Sequence, residues 1–319
     1  MIPLHRRFDY LPWNDRPRIR WPQNARVAFW VVPNVEYYEY LPPAGGGPQQ
    51  RGHDNPDFPA PNIPVFVRRD YGNRVGFWRM AKVLDKYRIR CTVNINLALL
   101  DHFPEERDAM VERGWDFCCH GMYNTRAAPK GMTPEQQRSF VRNCIALFKR
   151  ATGKQLKGFN VLSRATEELP DILAEEGIVY HADYLHDDQP TPINVTRGKL
   201  VSIPYGGETN DSVMTSRNRP WELDTLFDMV RDAFDRLYAE GADNGTVLCL
   251  ALHPWCSGYP YRIRDLERIL DYVMSHDGVW QATADEIAEH YIAHHYDEAV
   301  AKIAQLKSAR EQRSARRNS

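Results

Sequence analysis

The sequence predicts an α/β fold, a parallel sheet covered by helices and closed or nearly closed into a barrel. Two observations carry this expectation. Short apolar runs rich in Val, Leu and aromatics alternate with stretches of helical spacing along most of the 319 residues. The apolar runs also end in polar side chains, as expected where the carboxyl ends of parallel strands open on one mouth. About seven or eight such units in one chain favour a closed or nearly closed barrel over two domains.

The elements follow in order. Residues 1–24, rich in Pro, Arg and Trp, show no period and read as an extended arm, with the barrel spanning 25–295. Val27–Val32 is a continuous apolar run that suits a strand buried on both faces. Leu41 to Pro64 is dense in Gly and Pro and reads as a long loop, a lid or site wall. Val75–Arg88 has helical spacing, and Arg90–Ile95 is strand-like. Pro104–Gly114 is helical, with Pro at its start and Gly at its end. Trp115–Cys119 is a short strand. Thr133–Thr152 is a long helix that Thr133 can cap, with Gly153 as its stop. Strands are then expected at Gly158–Leu162, Ile178–Ala182, Leu200–Pro204, Gly245–Leu252 and Gly278–Ala282. Helices are expected at Thr166–Gly177, Trp221–Gly241, Arg264–His276 and Ala284–Ala293. Residues 296–319 form a basic tail, read as a helix fraying into solvent.

The bulk numbers narrow the partners. A formal net charge of −1 gives no electrostatic reason to expect nucleic acid or an anionic membrane, so a small-molecule substrate is the expected partner. The six cysteines form no CxxC pair, and Cys118-Cys119 is a poor start for a disulfide framework. The first residues lack the apolar core of a secretory signal, and no stretch approaches the roughly 18 apolar residues of a membrane span. A cytoplasmic location is expected.

The strand ends supply the candidate site. Asn34, Glu36 and Glu39 follow the first strand. Asn94 closes the second, and His120, with Asn124 four positions on, follows WDFCC. Ser163 and Arg164 come next, then Tyr205, Glu208, Asn210 and Asp211, then His253 with Trp255. Glu36 is a candidate base or ligand, and His253 has the near-neutral imidazole that an amine leaving group needs. Glu208, Asn210 and Asp211 read equally as substrate contacts or turn caps. Asp70 and Arg74 read as a structural ion pair or as substrate-binding. Cys256 reads as a small apolar filler, and His290, His294 and His295 as surface.

Several longer stretches carry a resemblance: ARVAFWVVPNVEYYE, DYGNRVGFWRMAKVLDKY, FCCHGMYNTR, SIPYGGETND and LALHPWCSGYPYRIRDLERILDYV. They resemble the polysaccharide deacetylase (NodB-homology) family and, within it, the branch of PuuE-type allantoinases and related cyclic amide hydrolases. The resemblance implies an α/β fold that is a distorted (β/α) barrel of about seven strands, often a homo-oligomer, and hydrolysis of non-peptide C–N bonds. It also implies an aspartate pair after the first strand and a His-x-x-x-His metal motif. Here the matching residues are Asn34 with Glu36, and His120 with Asn124. Asn34 cannot accept a proton at neutral pH, and an Asn oxygen is a poor zinc ligand.

The expectation is therefore a hydrolase of a small cyclic amide, imide or ureide. Glu36 orients or deprotonates water, and His253 protonates the leaving nitrogen. His120 holds a divalent metal together with Glu36, or stabilises the oxyanion directly in a metal-free site. Asn34, Asn124, Arg164, Tyr205, Glu208, Asn210 and Trp255 are expected to contact substrate. An N-deacetylase of acetylated sugars and a non-catalytic ligand-binding barrel are the alternatives.

Overall fold

The computed structural model describes residues 6–42, 61–126, 128–161, 164–215 and 225–317. Most of the Gly/Pro loop, Ser163 and the start of the helix expected from Trp221 lie outside these residues.

The strands are β1 (Val27–Val35), β2 (Thr92–Ile95), β3 (Asp116–Cys119), β4 (Gly158–Phe159), β5 (Tyr180–His181), β6 (Thr191–Ile193), β7 (Leu200–Ser202), β8 (Thr246–Leu252) and β9 (Val279–Gln281). They form one curled sheet in the order β6-β7-β5-β4-β3-β2-β1-β8, parallel except for the β6–β7 pair. One edge of β1 is shared, with β9 pairing its first half and β2 its last residues, Asn34 and Val35. The seam between the β7 side and β8 is closed by backbone contacts rather than a strand ladder: Asn210 bridges Ala251, and Val247 N–H donates to Asp188. The result is the nearly closed barrel expected. β6 was not foreseen: it is three residues long and contains Pro192, which is tolerated because the strand lies on the edge.

The helices are α1 (Ile63–Tyr71), α2 (Phe77–Lys86), α3 (Leu99–His102), α4 (Pro104–Glu112), α5 (Pro134–Thr152), α6 (Leu169–Glu175), α7 (Thr225–Glu240), α8 (Pro254–Ser257), α9 (Ile263–Met274), α10 (Ala284–His294) and α11 (Tyr296–Arg317). α5 has the foreseen start and stop: Thr133 and Gln136 form a capping box, and Gly153 ends the helix at φ 72°. α1 and α2 are joined by a π-helical turn, Gly72–Gly76. α1 begins where the sequence reading still placed a loop.

Strand parity decides which side chains reach the site. Ala28, Trp30 and Val32 of β1 pack in one cluster with Cys118, Tyr180, Val201, Val247, Cys249 and Ala251. The alternate residues Val27, Phe29, Val31 and Val35 pack in a second cluster with the helices. The first cluster is the barrel interior. Stepping on by two from each strand gives Asn34 and Glu36, His120, Ala182, Tyr205 and His253, so the pleat itself delivers these residues inward at the mouth. The opposite end is floored by the arm. Trp21 is buried and donates through Nε1 to Thr246 O at 2.8 Å.

Candidate active site

Glu36 lies one residue beyond β1 and is buried. Its Oε2 accepts from Tyr38 OH and from Trp255 Nε1, each at 3.0 Å, and its Oε1 accepts from Asn124 Nδ2 at 2.9 Å. Burial alone would raise its pKa. The positive fields of His253 and Arg69, together with the Trp255 bond, outweigh burial and lower it to about 2. Glu36 is a fixed anion at the centre of the mouth.

Two imidazoles face it. His120 Nε2 stands 3.8 Å from Glu36 Oε1, and His253 Nε2 stands 3.9 Å from the same oxygen. Their protonation states differ for structural reasons. His120 Nδ1 lies 2.6 Å from Asn160 O, and a carbonyl only accepts, so Nδ1 carries the hydrogen and Nε2 presents a lone pair. Arg164 Nη2 points at that lone pair from 3.3 Å. Burial and this guanidinium lower the His120 pKa to about 4, so the ring is neutral. His253 is the opposite case. Its Nδ1 pairs with Asp211 Oδ1 at 2.7 Å, and burial is outweighed by Asp211 and Glu36, which raise its pKa. Asp211 is fully buried and anchored: His253 N–H, Ser257 N–H and Ser257 Oγ all donate to its Oδ2, at 2.8, 3.1 and 2.6 Å. This fixes the ring with Nε2 toward Glu36.

Below them lies a floor of amides. Asn34 Oδ1 accepts from Tyr205 OH at 2.9 Å and Asn94 Nδ2 at 2.7 Å, while Asn34 Nδ2 donates to Leu252 O at 3.2 Å. Arg164 is buried beside the floor. Its Nη1 donates to Tyr123 O and Arg126 O, and its Nη2 also lies 3.4 Å from Asn124 Oδ1.

The sequence profile of the polysaccharide deacetylase family matches residues 60–177. The peptidoglycan deacetylase-like protein FGM2 of Gibberella zeae is 30% identical over 241 residues, 64% of this chain and 71% of that protein. The chain belongs to the polysaccharide deacetylase family. Among solved structures, a Pseudomonas aeruginosa protein described as a polysaccharide deacetylase aligns with TM-score 0.78 and 28% identity, covering 88% of this chain and 95% of that one. The PuuE allantoinase aligns with TM-score 0.76 and 29% identity, covering 88% and 94%. This polysaccharide deacetylase family member is a hydrolase of C–N bonds.

The resemblance implied a divalent metal held by Glu36 and His120, and the donor set does not fit one. Among the described residues no group of three or more His, Cys, Asp or Glu could hold an ion. Asn124, at the second-histidine position, turns its Nδ2 toward Glu36 and its Oδ1 toward Arg164. The one imidazole lone pair already faces a guanidinium, whose charge opposes a cation there. The tautomer also bears on the oxyanion role expected of His120, because an Nε2 without hydrogen accepts and does not donate.

Of the other expected residues, Asn34, Asn124, Arg164, Tyr205 and Trp255 are brought together around Glu36. Glu208 is exposed, and Asn210 Oδ1 is taken by Ser212 N and Oγ as a turn cap. Asp70 is paired with Arg74, as the structural reading of the two expected. Two participants escaped the sequence reading, and the role of a third was not seen. Tyr38 sits two residues past Glu36. Asp211 stood in the quoted GGETND but was not recognised as the partner His253 needs. Arg69 comes from α1, where no strand-end signal exists.

Proposed function

We propose that the protein hydrolyses a small cyclic amide, imide or ureide. The observation that carries this reading is the convergence of a carboxylate oxygen and two imidazole Nε2 atoms on one space, with only one of the imidazoles oriented by a buried aspartate that raises its pKa. The likeness to the PuuE allantoinase over 88% of the chain supports the cyclic substrate class. A donor set that disfavours a metal counts against the sugar N-deacetylase alternative, which the resemblance ties to a metal.

In the proposed reaction Glu36 Oε1 orients a water molecule against the ring carbonyl. A carboxylate held near 2 is a weak base, so it takes the water proton only as attack develops. Arg164 supplies positive field for the developing oxyanion, a role a neutral His120 cannot fill. His253 Nε2–H protonates the ring nitrogen as the C–N bond breaks. The ring opens to a carboxylic acid and an amine, with one water consumed, and the proton on Glu36 then returns to His253.

The test is an assay of chelator-dialysed protein on a panel of hydantoins, cyclic imides and ureides beside N-acetyl-chitooligosaccharides. Ring opening without added metal, reduced roughly 10²–10⁴-fold by His253→Ala, is expected. Acetate release that needs zinc, or a fully active His253→Ala protein, would overturn the proposal.

A further inference from the structure

Arg164 is held at every donor it has. The side chain is 1% exposed, and a guanidinium carries five N–H groups and no acceptor. Nε donates to Val161 O at 3.1 Å, and Nη1 donates to Tyr123 O and Arg126 O at 3.3 and 3.1 Å. Nη2 faces His120 Nε2 at 3.3 Å and Asn124 Oδ1 at 3.4 Å. Burial lowers the Arg164 pKa, and the carboxylates of Glu36 and Asp183 act against that. With an acceptor at each N–H, the guanidinium is a charge fixed in position.

What Nη2 faces is a set of groups suited to a cation. His120 Nε2 presents a lone pair, because Nδ1 gives its hydrogen to Asn160 O at 2.6 Å. Glu36 Oε1, an anion, stands 3.8 Å from the same Nε2. Asn124 links the two charges: its Oδ1 lies toward Arg164, and its Nδ2 donates to Glu36 Oε1 at 2.9 Å. A guanidinium only donates and a carboxylate only accepts, so the two ends fix the amide in this orientation. The asparagine that makes a poor zinc ligand is a fitting bridge between a guanidinium and a carboxylate.

We infer that the Arg164 guanidinium is the built-in cation of this site, standing among Glu36, His120 and Asn124 in place of a metal ion, with Asn124 as its matched partner. Its chemistry differs from that of a metal in two ways. All of its N–H groups are taken, so it acts on a substrate oxygen through its field and not as a ligand. It also does not turn a bound water into hydroxide, as zinc does, which leaves the activation of water to Glu36. That consequence rests on the ring-opening reading above; the place of the cation does not.

Zinc is the probe, because nitrogen and carboxylate ligands are the ones it takes. Crystals of the full chain soaked in zinc chloride should show no anomalous peak beside His120 Nε2 in the wild type. Asn124→His adds an imidazole but leaves the guanidinium, and should show none either. Asn124→His/Arg164→Met also removes the charge. It should gain a zinc ion at His120 Nε2, with zinc affinity roughly tenfold or more above that of Asn124→His in competition with a chromophoric chelator. A peak at His120 in either of the first two proteins overturns the inference, and so does equal affinity in the two variants. Should the double variant fail to fold, the first two crystals decide alone. None of these measurements reads turnover, so a protein that opens no ring but keeps zinc off His120 sinks the hydrolase reading and leaves the built-in cation standing.

Discussion

At the residue scale, the site is organised by which histidine is allowed a charge. Both rings are buried, so desolvation lowers the pKa of each. Only His253 has a carboxylate at hydrogen-bond distance, and only His253 ends above the ordinary value. A general acid must hold its proton, so activity should be lost as pH rises through the raised His253 pKa. On the acid side, activity is lost only when pH falls toward the values of His120 at about 4 and Glu36 at about 2. Asp211→Asn keeps an acceptor for Nδ1 but removes the charge. The alkaline limb of kcat/KM should then move down by roughly one unit or more while the acid limb stays. Coincident alkaline limbs in the two proteins would rule out this role for Asp211.

At the element scale, two distant stretches of sequence turn out to be one joint. The π turn GNRVG packs backbone to backbone on α8, PWCS. A Cβ on Gly76 would lie 2.0 Å from Pro254 O, and one on Gly72 would lie 2.7 Å from Trp255 N. Gly258 closes the same contact, since its Cβ would fall 2.4 Å from Gly76 Cα. The joint sets the height of Trp255 over Glu36 and places Asn73 on the Glu36 backbone. Gly76→Ala must displace α8, at a cost of about 1–3 kcal/mol by the usual penalty for overpacking. Urea unfolding should show that loss, with a fall in kcat as Trp255 leaves Glu36; an unchanged midpoint and kcat would mean that the joint yields without consequence. The same contrast explains what could be read from sequence. Glu36, His120 and His253 were legible because strand parity and strand ends are local properties. α5 was legible because Thr133, Gln136 and Gly153 state its limits in one segment. β6, α8, the π turn and the place of Arg69 beside Glu36 were not, because each depends on a contact between segments with no period of their own, and three- to five-residue elements leave no pattern to count.

At the scale of the whole molecule, the arm and the C-terminal helix are parts of the barrel. The arm closes the end opposite the site: Gly245 N–H donates to Ile19 O, and Arg16 pairs with Asp187 at 2.5 Å. His290 and His295, expected at the surface, both lie near Arg20 O, at 2.8 and 3.3 Å, and so meet the arm. α11 docks through buried Tyr296, Ala299 and Ile303 instead of running free as the basic tail expected from its composition. Among the described residues no helix is long and apolar enough to cross a membrane, in keeping with helices that bury their apolar faces against this core. The plug of the floor is Trp21, whose ring fills the place a Gly245 side chain would need: a Cβ there would lie 2.7 Å from the indole. Trp21→Ala opens a cavity where β8 begins, at the far end of the strand that carries His253 to the mouth. It should cost about 3–5 kcal/mol of unfolding free energy, the usual range for deleting a buried indole. Because the proposed catalytic groups are held by Asp211, Trp255 and Asn124 at the opposite end, kcat of the still-folded protein should stay within about twofold, as expected for sites too far apart to couple. A large fall in kcat at full folding would show that the floor and the mouth of the barrel move together.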